Sequence, residues 1–371
     1  KMTDEAILSL PLAKDKEIGV ARMLESVAAF SYYMNSNNNV AFASALSVKH
    51  TMKRGITPHS PSTLVMFAGI LLAMGKIEDS CRLSSLALQL AEKHNTRTTI
   101  AGTMFSAYFV CLHFKKPIQS CQESFLLGYR GGMRVGEIYY AAMCTQAYCI
   151  FYYFSGLPLQ TLKEDWTMYL SEMIDYGQHT VRLQHLPWLQ KVVNLISTDG
   201  RDVLKFNSEI MNENDFVAQA KLETNLLALE GLYTSKAELA YMWGNFDEAG
   251  AYLRKVDAVS NSMEMPLFVF IRTTFFRGLI NLALARLHGS GFKYRRAYRK
   301  QIRLLRKWVK ARNVNCVDML ALLVAEQKSL SSKRSNVDLV LPLYDNAITI
   351  AARTCFSQVE ALACECAGRH L

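Results

Sequence analysis

The sequence predicts an all-α chain, an α-solenoid of antiparallel helix pairs, and three observations carry that reading. Polar or glycine-containing breaks recur near Asn37, Gly75, Lys115, Gly156, Gly200, Gly244, Ser290 and Ser332, spaced 38 to 46 residues apart. Helical apolar periodicity flanks each break, and a regular period of this length marks stacked helix pairs. The eight prolines read as falling between the periodic segments, as helices require. The clearest pair runs from Leu232 to Val256 (LYTSKAELAYMWGNFDEAGAYLRKV): one helix, a break at Gly244-Asn245, and a second helix from Asp247.

Within that pair small residues sit where two antiparallel helices must approach closely. Ala237 lies seven residues before Gly244 and Ala249 five after it, and bulkier side chains there would hold the helices apart. Gly244 supplies the turn, Phe246 plugs the groove beside it, and Asp247-Glu248 favour the positive end of the second helix. This is the break-and-return of a tetratricopeptide-type hairpin, which cannot bury its own apolar face and so implies neighbours.

Ser62–Met74 and Ile77–Ala91 match it around Gly75, with Ala68 seven before, Ile77 two after and Ser80 five after. Thr98–Phe114 with Ile118–Gly128, and Ile138–Phe154 with Leu159–Tyr176, continue the series. From Val181 to Phe216 the pattern weakens to one helix (LPWLQKVVNLI), a turn at Asp199-Gly200 and a distorted or extra helix. The loops Asn35–Asn39 and Ser329–Asn336 read as turns of the first and last pairs. A repeat of about 40–45 residues exceeds the usual thirty-four, so each helix should be about a turn longer. With no long polar linker, residues 1–371 read as a single helical-repeat domain. Lys1 in place of Met, and Leu371 inside an apolar-periodic segment, make that domain a piece of a longer chain.

Half of the 371 residues are hydrophobic and one fifth charged, which suits a packed globular core rather than disorder. Lys1–Gly19 carries no secretory signal. Ile138–Leu162 has no charged residue, but Thr145, Gln146, Ser155 and the break at Gly156 favour a buried solenoid helix over a membrane span. Nine scattered cysteines without a C-x-x-C read as buried free thiols of a reducing compartment, which places the chain in the cytoplasm. Cys364 and Cys366 would point to different sides of one helix.

Certain stretches resemble the helical-repeat region of large multidomain signalling ATPases and kinases. They are the opening MTDEAILSLP, Ile18–Asn35 (IGVARMLESVAAFSYYMN) and above all Tyr344–Arg369. In that last run Ala347, Ala351, Glu360-Ala361-Leu362-Ala363, Glu365 and Arg369 match the family's closing helix pair. The resemblance covers essentially the whole chain. It implies a tetratricopeptide-like solenoid following a predicted AAA- or STAND-type ATPase, often behind a serine/threonine kinase domain and before sensor, histidine kinase or cyclase modules. ATP binding and catalysis are implied for the parent protein, not for this segment. The family usually has Gly before Phe356; Cys355 stands there, which implies a differently shaped turn.

No catalytic, cofactor-binding or metal motif is legible. Gly131-Gly132-Met133-Arg134-Val135-Gly136 lacks the lysine and preceding strand of a phosphate loop and reads as a helix end. The eight histidines are dispersed, His113 on an apolar stretch reads as a core residue, and no G-x-S-x-G occurs. The segment is therefore expected to be non-enzymatic and to need no cofactor.

One feature departs from this neutral background. No acid occurs between Glu264 and Asp318, while Lys293, Arg295, Arg296, Arg299, Lys300, Arg303, Arg306, Lys307, Lys310 and Arg312 match the whole formal excess of +10. On a helix over Tyr294–Arg312 the set Ala297, Tyr298, Ile302, Leu304, Leu305, Trp308, Val309 and Ala311 occupies one half. Arg295, Arg299, Arg303, Arg306 and Lys310 follow one another on the other. Two readings stay open: a solvated face whose aliphatic stems cover a neighbouring helix, or a docking face for an acidic partner, phosphate or nucleic acid. The functional expectation is a protein-interaction and regulatory solenoid that couples a protein partner to flanking domains of the same chain. The alternative is a nucleic-acid-binding repeat protein using helix 294–312, although Tyr298 and Trp308 lie on the apolar side, away from any stacking role. No membrane partner is expected.

Overall fold

A computed structural model describes residues 3–33, 36–197, 200, 202–260, 267–289, 291–331 and 337–370. The breaks read at Ser290 and Ser332 lie outside those residues. So do Asp199 of the expected turn, Asn35, residues 332–336 of the last loop, and the terminal Lys1 and Leu371. Every extended element among the described residues is a helix. Two isolated bridges, Leu12 with Ile56 and Asn207 with Asn212, make no sheet. The chain divides into two compact units, Lys1–Tyr148 with Met263–Phe268 and Cys149–Ser262 with Val269–Leu371.

The first unit contains α1 (Asp4–Leu8), α2 (Asp15–Tyr33), α3 (Asn37–Arg54), α4 (Ser60–Ala73), α5 (Ile77–Lys93), α6 (Ile100–Phe105), α7 (Gln122–Val135) and α8 (Ile138–Phe154) as far as Tyr148. α2 packs on α3, α4 on α5 and α6 on α7. The break read near Asn37 falls just before it, since Asn37 opens α3. The helix expected over Thr98–Phe114 changes winding midway: α6 passes into a π turn at Ser106–Cys111 and a 3-10 turn at Leu112–Phe114.

The second unit takes the end of α8, then α9 (Leu159–Asp175), α10 (His179–Ile196), α11 (Glu213–Leu222), α12 (Leu226–Met242), α13 (Phe246–Val259) and α14 (Phe268–Leu287) from Val269 onward. It ends with α15 (Phe292–Lys310), α16 (Val317–Ser331), α17 (Val337–Arg353) and α18 (Ser357–His370). Here α9 packs on α10, α12 on α13, α16 on α17 and α17 on α18. The stretch expected to be weak resolves into a long α10, an irregular passage through residues 202–212, and the short α11. Asn212 caps α11, its Oδ1 accepting the Asn214 and Asp215 N–H groups at 3.0 and 3.2 Å.

The hairpin turns share one local device. After α4 the Lys76 N–H donates to Leu71 O at 2.8 Å across Gly75, whose φ is +77°. After α12 the Asn245 N–H donates to Ala240 O at 2.8 Å across Gly244, φ +78°. This six-to-one bond satisfies an orphan carbonyl and needs a left-handed residue, which glycine adopts without strain. Cys355 corrects the expectation of a different turn. It adopts φ +57°, and the Phe356 N–H donates to Ala351 O at 3.0 Å, so cysteine holds the geometry glycine would supply.

Two prolines in helix interiors also depart from the reading that all fall between helices, while Pro61 sits in the first turn of α4, where it is tolerated. Pro187 lies inside α10 and Pro342 inside α17. An interior proline costs about 3 kcal/mol. Around Pro187, Leu183, Leu186, Trp188 and Leu189 are buried, and their packing offsets that cost.

Close helix crossings use small residues. Ala68 and Ser80 in the α4–α5 pair, and Ala249 in the α12–α13 pair, have no exposed surface; Ala237 has 1 %. Gly131 and Gly132 prove to be crossing residues within α7, which ends at the left-handed Gly136. A Cβ on Gly132 would come within 2.7 Å of the Ala101 Cβ and 3.1 Å of the Ala141 Cβ. Just beyond, the Glu137 carboxylate accepts the Ala101 and Gly102 N–H groups at 2.8 and 3.0 Å and caps α6 from a distant point in the chain. Burial pushes this carboxyl up to about 7, while the two amides oppose the rise.

Two substitutions check this packing. Ala237→Leu or Ala249→Leu should overfill the α12–α13 crossing and destabilise by roughly 1–3 kcal/mol, seen as a lower denaturant midpoint. Wild-type midpoints would show the register to be wrong. Cys355→Gly should raise stability by about 0.5–1 kcal/mol, because relief of left-handed strain exceeds the added freedom of the unfolded chain.

Candidate docking face and the charged interior of the second unit

The second unit closes on itself. Gln358 Nε2, at the start of α18, donates to Tyr153 O at 2.5 Å near the end of α8. Ser357 lies so near the next turn that a Cβ on Gly156 would be 2.0 Å from its Oγ. In an open stack, helix pairs this far apart in the chain would not meet.

That interior holds charges. Lys191 on α10 pairs with Glu238 on α12, with side chains 1 % and 2 % exposed. The Lys191 ammonium also lies 4.6 Å from the Tyr153 ring centre and 5.3 Å from that of Trp188. Desolvation pulls the Lys191 pKa down, but the Glu238 carboxylate and Tyr153 more than reverse this, so it stands above its usual value.

Arg272 on α14 is 3 % exposed, its guanidinium 4.9 Å from the Phe154 ring centre, 5.2 Å from Phe276 and 5.6 Å from Phe275. Asp318, at the start of α16, has no exposed surface. Burial pushes its carboxyl up to about 6, against the Met319 backbone N–H and the positive charge of Arg272. Farther along α16, Glu326 accepts from Arg286 Nη1 at 2.7 Å and Tyr344 Oη at 2.5 Å, tying α14, α16 and α17 together. None of these buried ions was singled out in the sequence. The available signal is a lone charge within an otherwise apolar run, such as Lys191 in LPWLQKVVNLI or Arg272 in FVFIRTTFF.

The residues that were singled out lie on the outside. On α15, Tyr298, Ile302, Leu305 and Trp308 are buried, while Arg295, Arg299, Arg303, Arg306 and Lys310 are all exposed. Phe270 on α14 meets the Trp308 ring edge-on at 6.0 Å, which fixes the apolar side of α15 against the inner helix. At 1.5 Å per residue the five basic groups span about 22 Å along one helix. Among the described residues none of the five enters an ion pair. Arg286 and Arg277, on the inner neighbour α14, pair with Glu326 and Asp257.

Other expectations fall as follows. Cys81, Cys111, Cys121, Cys144, Cys149 and Cys316 are buried free thiols, and Cys364 is exposed while Cys366 is buried. His113 has no exposed surface and lies beside the Phe114 ring at 5.3 Å. Among the described residues one helix, α14, is long and apolar enough to cross a membrane, but 78 % of its apolar window is buried within the fold and it carries Arg272 and Arg277. The stretch Ile138–Leu162 breaks after α8, as expected.

No family model and no curated protein matches the chain. Among solved structures it is similar to a circular tandem repeat protein with novel repeat topology and enhanced subunit contact surfaces. The identity is 12 % over 99 % of this chain and 91 % of that one, with a TM-score of 0.21. A score that low carries no argument, and the all-α, paired-helix architecture rests on the packing described above.

Replacing Lys191 by Met should leave the Glu238 carboxylate buried and uncompensated, lowering stability by about 3–5 kcal/mol in denaturant melts. The double change Lys191→Met with Glu238→Leu should recover most of that loss. A single variant that melts like wild type would show that the pair is not desolvated.

Proposed function

We propose that this chain is a non-catalytic, tetratricopeptide-like interaction module of a multidomain signal-transduction ATPase or kinase of the cytoplasm. It docks an acidic protein surface, on a partner or on a flanking domain of the same chain, through Arg295, Arg299, Arg303, Arg306 and Lys310. The observation that supports this reading is the exposed row of five basic groups on α15 with no acid paired to them among the described residues. Like charges at i and i+4 cost a few tenths of a kcal/mol per pair, a cost that an opposing acidic surface removes. The closed second unit adds weight, because its charged interior is filled and an outer helix is where a partner can reach it. The resemblance to signalling ATPases supplies the setting, and the docked module would bias the catalytic domains beside it. Nothing in this reading calls for a cofactor or metal.

Changing Arg299, Arg303 and Arg306 together to Glu should leave helicity and melting nearly unchanged, since exposed charges contribute little to stability. The same change should abolish binding of a poly-glutamate probe, and wild-type binding should weaken with salt as the contacts are screened over about 8 Å. Mixed-sequence duplex and single-stranded DNA form the second arm. Tight DNA binding with a steep salt slope, and little affinity for poly-glutamate, would replace this reading with a nucleic-acid one. If the triple variant behaves as wild type in both arms, the row is a solvated face and the docking reading fails.

A further inference from the structure

α2 in the first unit presents a second, chemically different face. Its inner side is anchored: Glu17 Oε2 meets His50 Nε2 on α3 at 2.9 Å, and Glu25 meets His59 Nδ1 at 2.5 Å beside α4 and also accepts from the Ser62 hydroxyl. Ala21, Ala28 and Ser31 on that side are buried. The anchoring turns the opposite side outward, where Val20, Met23, Val27 and Phe30 are 38, 62, 46 and 68 % exposed. Their spacing of three, four and three residues is the seam of a two-helix coiled coil rather than a scatter of surface side chains. Gly19 and Ser26 flank the seam, both exposed and small, and a Cβ on Gly19 would meet nothing within 4 Å. A second helix can therefore approach closely. Lys16 lies at the N-terminal end of the seam and is the single charge on its axis.

We propose that this face pairs with the same face of a second copy of the chain, the two α2 helices running antiparallel about a two-fold near residue 25. That centre lays Val20 over Phe30 of the other copy and Met23 over its Val27, so every layer of the seam is apolar on apolar. The antiparallel sense follows from charge. It brings Lys16 to the carbonyl end of the opposite α2, where a cation is favoured, whereas a parallel pair would set Lys16 against Lys16. The four side chains expose on the order of 400 Å² per copy, and with their flanks the pair buries on the order of 1,000 Å², the lower bound for a specific interface. A reversible dimer is the result.

Sedimentation velocity on the 371-residue chain, over roughly two decades of concentration, should show a monomer–dimer equilibrium. Met23→Glu and Val27→Glu should each weaken it by about tenfold or more. Because both positions are exposed, helicity and melting should stay as in wild type, which separates lost pairing from lost folding. Direction is read by crosslinking in a background with Cys355 and Cys364 changed to Ser. An oxidised mixture of Met23→Cys and Val27→Cys chains should give mixed disulfide dimers, and either chain alone should give few. A chain that stays monomeric at every concentration overturns the proposal. So does a dimer indifferent to Met23→Glu, and so do disulfide dimers formed as readily by each variant alone, which would mean parallel pairing.

Discussion

The constraint on which everything else depends is the reversal of direction after each helix. Two helices can bury their apolar stripes against each other only if the chain turns back within about three residues, and a six-to-one bond across a left-handed residue does this. Gly75 and Gly244 occupy that position without strain. Asn95, Thr224, Arg312 and Cys355 occupy it with φ between 48° and 60°, in turns with the same bond from the following residue. A non-glycine residue there costs on the order of 1 kcal/mol. Full burial of residues such as Leu86 and Leu90 on α5, or Val256 on α13, is worth about 1.5–3 kcal/mol each and outweighs it. The turn can therefore drift in sequence while its geometry stays.

Packed pairs then set what the second unit can hold inside. Its inner helices α10, α12, α14 and α16 are apolar over most of their surface, yet each carries at least one ion: Lys191, Glu238, Arg272, Asp318 or Glu326. An ion so placed must be compensated locally. Lys191 has Glu238 and two aromatic faces, and Glu326 has Arg286 and Tyr344. Arg272 is surrounded by three phenylalanine rings and raises the local potential that holds the Asp318 carboxyl down, against a larger upward push from burial. These contacts are directional where the apolar ones are not, and they tie α10 to α12 and α14 to α16. The return of α18 to the end of α8 completes the enclosure.

Much of the architecture was legible in the sequence, and the limits of that legibility are physical. Helix pairs were readable because turn chemistry and apolar period are local properties: Gly75 and Gly244 with Ala68, Ala237 and Ala249 announce the hairpins. The basic side of α15 was readable for the same reason, since one helix carries both its buried and its exposed half. Closure of the second unit was not readable, because it depends on Gln358 reaching a carbonyl some two hundred residues away. Lys191 and Glu238 were invisible singly; each looks like a solvated charge until its partner is placed opposite. Pro187 misled for a related reason, because its cost is local while the packing that offsets it is tertiary. Glu137 belongs here too, as a cap whose helix begins far upstream.

Inner and outer helices divide the chemistry between them. α4, α12 and α14 are apolar nearly all round, so any change on them disturbs a packed contact. Their partners α5, α13 and α15 are amphipathic, with one side fixed by burial and the other free to vary in charge at little cost to folding. α15 is the extreme case: Tyr298, Ile302, Leu305 and Trp308 hold it in place while its solvent side carries one sign of charge throughout. α2 is the complementary case, with Glu17 and Glu25 pairing to histidines on its anchoring side and an apolar seam on its solvent side. Folding needs neither the uninterrupted positive row nor the outward apolar seam, since solvated polar residues of mixed charge would serve equally well at those positions. The docking and pairing proposals rest on these two departures, on separate helices and of different chemistry, and not on the buried ions of the interior.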